Sequence, residues 1–184
     1  EDDDGGADQV LRDGLERIAR SVARLTAMTG HLRAIDDLDD DAIDGILARA
    51  RELDRDKSIA VRSSIRPALL GLLFMQPSLR TRVGFTAAAA RLGWQTASVL
   101  DQREGAPSVS ESLADTARVL SGFSTIVVAR LNQPISSISP MMTVPLINGG
   151  DTGPEAEHPT QALIDVFAME EELGPVSGLR VAIC

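Results

Sequence analysis

From Pro67 onward, short apolar runs alternate with helical segments, and that alternation leaves few folds open. "ALLGLLF" (68–74) is a continuous apolar run of strand length, the pattern of a strand buried on both faces. "TRVGFTAAAARLG" follows as an Ala-rich helix closed by Gly93, and "WQTASVL" as a second strand. The series continues with "SESLADTARVLSGF" as a helix and "TIVVAR" as a strand. "QPISSISPM" is a loop or short helix, "VPLIN" a fourth strand, and "GGDTGPEAE" a Gly-rich loop. "HPTQALIDVFAMEEELG" is a helix with Pro159 in its first turn, and "GLRVAIC" opens another strand. Strands separated by helices at this spacing make β–α–β units. They predict an α/β fold, a parallel sheet with helices on both faces.

Upstream the pattern is helical. After an acidic tail, Val10, Leu11, Leu15, Ile18, Val22 and Leu25 recur at three- and four-residue spacings, predicting an amphipathic helix from Ala7 to Met28 ended by Gly30. Asp36, Asp37 and Asp39 to Asp41 precede a second helix running to about Leu53. Aspartates suit the positive end of a helix, although an acidic run is also open to reading as a metal site. Residues 1–30 thus read as a tail and an extra helix, 31–177 as one α/β domain, and 178–184 as a further strand. The chain is expected to be the front part of a longer protein.

Charge and composition narrow the function. A formal net charge of -9 argues against nucleic acid as a partner, since phosphate backbones demand a basic surface. Lys57 is the only lysine among 18 basic residues, so a phosphate held by a side-chain cation falls to arginine, whose planar fork binds two oxygens at once. The single cysteine, Cys184, permits no disulfide framework. No apolar stretch approaches the roughly 18–20 residues that span a bilayer, and the acidic N-terminus does not resemble a signal peptide. The expectation is a cytoplasmic protein without membrane partners.

Ligands of open α/β sheets bind at the carboxyl ends of the strands, and three polar clusters fall there. Ser78-Leu79-Arg80-Thr81-Arg82 follows the first strand, Arg130 ends the third, and His158, Thr160 and Gln161 follow the fourth. The first cluster combines hydroxyls, a guanidinium and the N–H groups of a helix start, which is how a phosphate is held. Leu79 has only its backbone to offer. The alternative makes Arg80 and Arg82 surface ion-pair partners. His158, at a helix start, is either a neutral donor to a carbonyl oxygen or a solvated cap. Gln161 lies three residues on, on the same helical face, with both a donor and an acceptor. His31 reads as ordinary loop surface.

Taken together, "FMQPSLRTRVGF", "SESLADTARVL", "VVAR" and "EHPTQALIDVF" resemble the aspartate/ornithine carbamoyltransferases in order and spacing, from about His31 to Cys184. The resemblance implies the carbamoyl-phosphate-binding domain of a two-domain transcarbamoylase. In this family a strand like "GLRVAIC" (178–184) opens the second domain, which would lie outside this chain. It implies that Ser78, Arg80 and Thr81, with the backbone of Leu79, hold the phosphate of carbamoyl phosphate. Thr81, Arg130 and His158 would polarise the carbamoyl carbonyl, and Gln161 would hold its NH₂. No metal or organic cofactor is implied. The partners implied are carbamoyl phosphate, an amino-acid acceptor and further copies of the chain in a homotrimer or higher multiple, with the Ser108–Ser112 loop reaching a neighbour. Such enzymes serve amino-acid metabolism and, for the aspartate type, pyrimidine biosynthesis.

Two positions depart from the family pattern. Aspartate-type members place a lysine before "ESLADT", where this chain has Val109. Leu79 stands where most relatives have threonine, and resembles some acylornithine transcarbamoylases. "GGDTGPEAEHPTQAL" looks more like the aspartate type, and "ESLADTARVL" more like the ornithine type. The expected acceptor is aspartate, with ornithine or a modified amino acid as the alternative. A non-catalytic homologue acting as a structural or regulatory subunit is the alternative of another class.

Overall fold

The computed structural model describes residues 30–56, 68–100 and 111–182. The helix expected over Ala7–Met28 and the position of Val109 lie outside these residues. Five strands form one wholly parallel sheet: β1 (His31–Leu32), β2 (Leu69–Phe74), β3 (Gln95–Leu100), β4 (Ile126–Arg130) and β5 (Leu146–Asn148), in the order β1-β5-β4-β2-β3. The helices are α1 (Asp40–Arg55), α2 (Leu79–Arg91), α3 (Leu113–Phe123) and α4 (Pro159–Leu173). The stretch left open as loop or short helix forms two 3₁₀ turns, Ile135–Ser137 and Ser139–Met141.

Alternation along the strands divides the core into two layers. Leu73, Val127, Ala129 and Leu146 pack on one side with Ala117 and Leu120 of α3. Leu70, Leu72, Phe74 and Val128 pack on the other with Ala89 of α2. Helices thus cover both faces, and the continuous apolar run of β2 follows from burial on each side. Each fully buried leucine here contributes about 1.5–3 kcal/mol. Gly71 interrupts that run because a Cβ there would lie 2.5 Å from Ser124 Oγ and 3.0 Å from Leu120 Cγ. α3 crosses too close to β2 for a side chain. At the far side, Arg51 of α1 pairs with Glu170 and Glu171 of α4, tying those two helices together.

The sequence of crossovers locates the binding crevice. From β2 the chain crosses outward to β3, then returns over β2 to β4 and continues away to β5. The direction reverses between β2 and β4, so the connections leaving their carboxyl ends run opposite ways and leave a crevice between them. Those ends are locked in register by the Met75 N–H, which donates to the Arg130 carbonyl at 2.8 Å.

Two sequence expectations are corrected. Gly178 to Ala182 form no strand; they are exposed and pair with no strand among the described residues, so nothing completes a ladder there. His31 is not loop surface but the first residue of β1, half-buried and paired with Leu146. Its Nδ1 accepts from the Leu146 N–H at 3.2 Å, a bond shared with the Gly30 carbonyl.

That bond makes the edge strand acid-sensitive. Burial, reinforced by the neighbouring Arg33, holds the His31 pKa below its ordinary value of 6.5, against weaker opposing effects of the Gly30 backbone and Asp37. Because the unfolded chain then takes up the proton first, the stability that neutral His31 confers is complete above pH 6.5 and is lost as pH falls through the folded value. Urea unfolding at pH 7.5 and 5.5 is expected to show a lower midpoint at the acidic pH. In His31→Gln, whose amide oxygen accepts at either pH, the drop is expected to shrink. An equal drop in both proteins would refute the assignment.

Candidate functional site

Helix capping separates the site from the rest of the molecule. α1 is capped by Asp39, whose side chain accepts from the Ala42 N–H at 2.8 Å, and α3 by Ser112, which accepts from the Asp115 N–H at 3.1 Å. Such caps are each worth about 1 kcal/mol. α2 and α4 begin at the carboxyl ends of β2 and β5, and neither has a side-chain cap. Ser78 sits at the cap position of α2, yet its hydroxyl donates to Thr81 Oγ1 at 2.9 Å instead of accepting from the backbone. The N–H groups of Leu79, Arg80 and Thr81 therefore find no acceptor among the described residues. Arg80 is exposed and, like Arg82, makes no ion pair or side-chain hydrogen bond among them. The alternative, surface ion-pair partners, finds no acidic partner for either arginine among the described residues. Three N–H groups, two hydroxyls and a guanidinium without an acceptor among the described residues stand on one turn, which is the set of donors an oxyanion requires.

Arg130 and His158 meet one strand away. Arg130 Nη1 donates to the Gly149 carbonyl at 2.9 Å, while its buried Nε has no partner among the described residues. A Cβ on Gly150 would lie 2.1 Å from Arg130 Nη1 and 3.1 Å from His158 Cδ2. Gly150, at φ 108°, thus occupies the space between guanidinium and imidazole, where neither the backbone angle nor the room suits a side chain. A Cβ on the preceding Gly149 would lie 3.5 Å from Thr81 Cγ2, which brings the phosphate-type turn against the same glycine pair. Thr81, Arg130 and His158 are gathered around Gly149 and Gly150.

His158 Nδ1 lies 3.2 Å from Thr160 Oγ1. Burial, aided by the Arg130 charge and opposed by Asp165, lowers its pKa below 6.5, so the imidazole is neutral at pH 7. Gln161 is turned away: it is exposed, and its Nε2 donates to Asp165 Oδ1 at 2.7 Å. Leu79, 72% exposed, lines a cleft of about 680 Å³ beside the turn, floored by Phe74, Met75 and Leu100 and edged by Arg82 and Asn132. The acidic residues ahead of α1 form no metal-type cluster among the described residues. Asp39 caps the helix and Asp37 pairs with Arg33.

The loop residues that hold the site together escaped the sequence reading. Asn148, fully buried, donates to the Arg33 carbonyl at 2.8 Å and accepts from the Gly150 N–H at 2.9 Å. Asp151 accepts from the backbone of Ile135 and of Glu157. The only signal was the Gly-rich character of the segment, which marks a turn without saying which side chains fix it.

The family model described as aspartate/ornithine carbamoyltransferase, carbamoyl-P binding domain, matches residues 30–171. The chain is 37% identical over 153 residues to the aspartate carbamoyltransferase catalytic subunit of Methanobrevibacter smithii, covering 82% of this chain and 48% of that protein. It is 36% identical over 149 residues to the chloroplastic aspartate carbamoyltransferase of Arabidopsis thaliana, covering 79% and 38%. The catalytic subunit of M. jannaschii aspartate transcarbamoylase superimposes with a TM-score of 0.72 at 32% identity, over 82% of this chain and 49% of that one. The ornithine carbamoyltransferase of Burkholderia thailandensis gives 0.70 at 27%, over 81% and 51%. The chain spans about half the length of the curated relatives it matches.

Since the Arg130 charge helps hold His158 neutral, Arg130→Gln is expected to raise the His158 pKa toward 6.5. Titration of the imidazole Cε1–H resonance checks this. A value that stays put or falls would mean that the guanidinium does not face the ring.

Proposed function

This chain belongs to the aspartate/ornithine carbamoyltransferase family, and from that premise we propose that it binds carbamoyl phosphate and supplies the carbamoyl-donor half of a transferase site. The observation behind the proposal is the uncapped α2 turn, with Ser78, Leu79, Arg80 and Thr81, set against Arg130 and His158 across the β2–β4 crevice. In this reading the turn holds the phosphate through side chains of Ser78, Arg80 and Thr81 and the backbone N–H of Leu79.

The reaction proposed is transfer of the carbamoyl group to the amine of an amino acid. An uncharged amine attacks the carbonyl carbon, a C–N bond forms, and the C–O bond to phosphate breaks with its electron pair leaving on phosphate. The amine releases a proton to phosphate or water. Negative charge first gathers on the carbonyl oxygen, where Arg130, Thr81 and His158 supply donors fixed in advance. In this reading the Thr160 hydroxyl, 3.2 Å from His158 Nδ1, donates to it, which leaves the ring hydrogen on Nε2 and available to that oxygen. No protein nucleophile is required; holding both reactants in place supplies the rest. Gln161 takes the carbamoyl NH₂ in this scheme by turning from Asp165.

We take aspartate as the acceptor, supported by the relatives named as aspartate carbamoyltransferases. Val109 in place of a lysine favours the second reading, ornithine or a modified amino acid, because a cationic contact to two anions is then missing. The proposed assembly is a homotrimer with sites shared between subunits and the Ser108–Ser112 loop reaching a neighbour. Among the described residues no helix is long and apolar enough to cross a membrane.

Arg80→Ala is expected to weaken carbamoyl phosphate binding by about 2–4 kcal/mol, through loss of a charge-assisted bidentate contact. Calorimetry showing equal affinities would refute the turn as the phosphate site. Phosphate release by the full-length protein, with carbamoyl phosphate and a panel of amino acids, is expected to show turnover with aspartate. Turnover with ornithine or a derivative alone would replace the acceptor. Tight carbamoyl phosphate binding without turnover of any amine would identify a non-catalytic homologue.

A further inference from the structure

Arg130 closes β4 and His158 stands just before α4, and both reach the same glycine pair. A carboxylate that neither of them touches joins the segments beside them. Asp151 Oδ2 accepts from the Ile135 N–H at 2.8 Å, in the loop that follows β4 and Arg130. Asp151 Oδ1 accepts from the Glu157 N–H at 2.8 Å, in the residue before His158. Two weaker backbone bonds run alongside: the Leu131 N–H donates to the Gly150 carbonyl at 3.0 Å, and the Asp151 N–H to that of Glu157 at 3.3 Å. The side chain of Glu157 is engaged elsewhere, its Oε2 accepting from the Ile35 N–H at 2.8 Å.

We propose that Asp151 is a positioning residue, its carboxylate clamping the loops after β4 and β5 so that Arg130 and His158 are held at a fixed separation around Gly150. This rests on the reading of that pair as the donors that face the carbonyl oxygen. The clamp is specific to a carboxylate. Both of its partners are donors, and a carboxylate is acceptor-only at each oxygen. An amide of the same size keeps one acceptor and turns an NH₂ against the other N–H. Asp151→Asn, near-isosteric, therefore opens one side of the clamp, whereas a residue that merely filled space would tolerate the exchange.

The two histidines of the chain make the test direct. His158 is surrounded by Arg130 and Asp165, and His31 by Arg33 and Asp37, so one reports the clamp and the other the rest of the fold. In Asp151→Asn the loop slackens, the imidazole draws away from Arg130 and gains water, and the His158 resonance is expected to titrate at higher pH, with His31 unchanged. Asp151→Ser, which keeps one acceptor without a misplaced NH₂, is expected to give a smaller shift of the same sign and serves if the amide variant does not fold. In turnover, kcat is expected to fall about tenfold or more while KM for carbamoyl phosphate moves less than about threefold, because the phosphate is held by the separate α2 turn. An unchanged His158 titration in both variants would overturn the proposal. So would equal shifts of both histidines toward 6.5, which would show a general loosening of the domain. The titration needs no acceptor and no turnover, so it stands apart from any failure of the proposed reaction.

Discussion

The pairing of β2 with β4 is the constraint on which the rest depends. These two strands are adjacent in space but separated in sequence by β3 and α3, and their register runs from Leu70 against Ile126 to Phe74 against Arg130. Both are buried on two faces, so a one-residue slip would send Leu72, Leu73, Val127 and Val128 to the wrong layers at once. The apolar packing thereby fixes a polar result. Arg130 is carried to the last rung of the ladder, directly across from the point where the chain turns into Ser78 and α2. The crevice is a consequence of strand order, and the hydrophobic core supplies the accuracy with which its polar groups are set.

Stability and function are divided among helix ends. Where a helix starts away from the crevice, a side chain closes its N-terminus, as Asp39 and Ser112 do. At the crevice, the starts of α2 and α4 are left open, and the buried Nε of Arg130 has no partner among the described residues. An unsatisfied buried donor of this kind costs about 1–3 kcal/mol. Groups left waiting for an acceptor are what a site for an anionic substrate requires, because donors already in place need not reorganise when charge develops. His158 fits the same pattern. Burial and Arg130 keep it uncharged, so it adds a donor without adding another cation to a pocket already rich in positive charge.

The sheet, its helices and the polar turn after β2 were legible because each has a local signature: period, apolar run length, and hydroxyls with arginines at a strand end. α2 was read from Thr81 and in fact begins at Leu79, since the polar residues of its first turn mask the helical pattern. β1 was invisible. Two residues give no period, and the strand exists because β5 offers His31 and Leu32 a free edge. "GLRVAIC" misled for the converse reason: apolar β-type residues form a strand only where a neighbour can complete the ladder. Asn148 and Asp151 were also out of reach. Their partners, Arg33 and Ile135, lie at sequence separations of 115 and 16, which no short motif encodes.

What this domain can specify is set by where its donors lie. On the proposed reading Ser78, Arg80, Thr81, Arg130 and His158 serve the phosphate and the carbonyl oxygen, the half of the reaction that every acceptor shares. Discrimination among acceptors needs contacts to the attacking amino acid, and the cleft beside Leu79 opens next to the same turn. Its floor of Phe74, Met75, Leu79 and Leu100 is apolar, and its cation, Arg82, is offset by no second one among the lining residues. A dicarboxylate needs more positive charge than a single guanidinium provides, since each carboxylate must recover the hydration it gives up. If the acceptor lies here, aspartate needs further cations, brought by other segments or by a neighbouring subunit. On the proposed reading, the choice of acceptor rests on charge that other segments or a neighbouring subunit bring to this cleft, whereas the donors for phosphate and carbonyl oxygen lie at the ends of β2, β4 and β5.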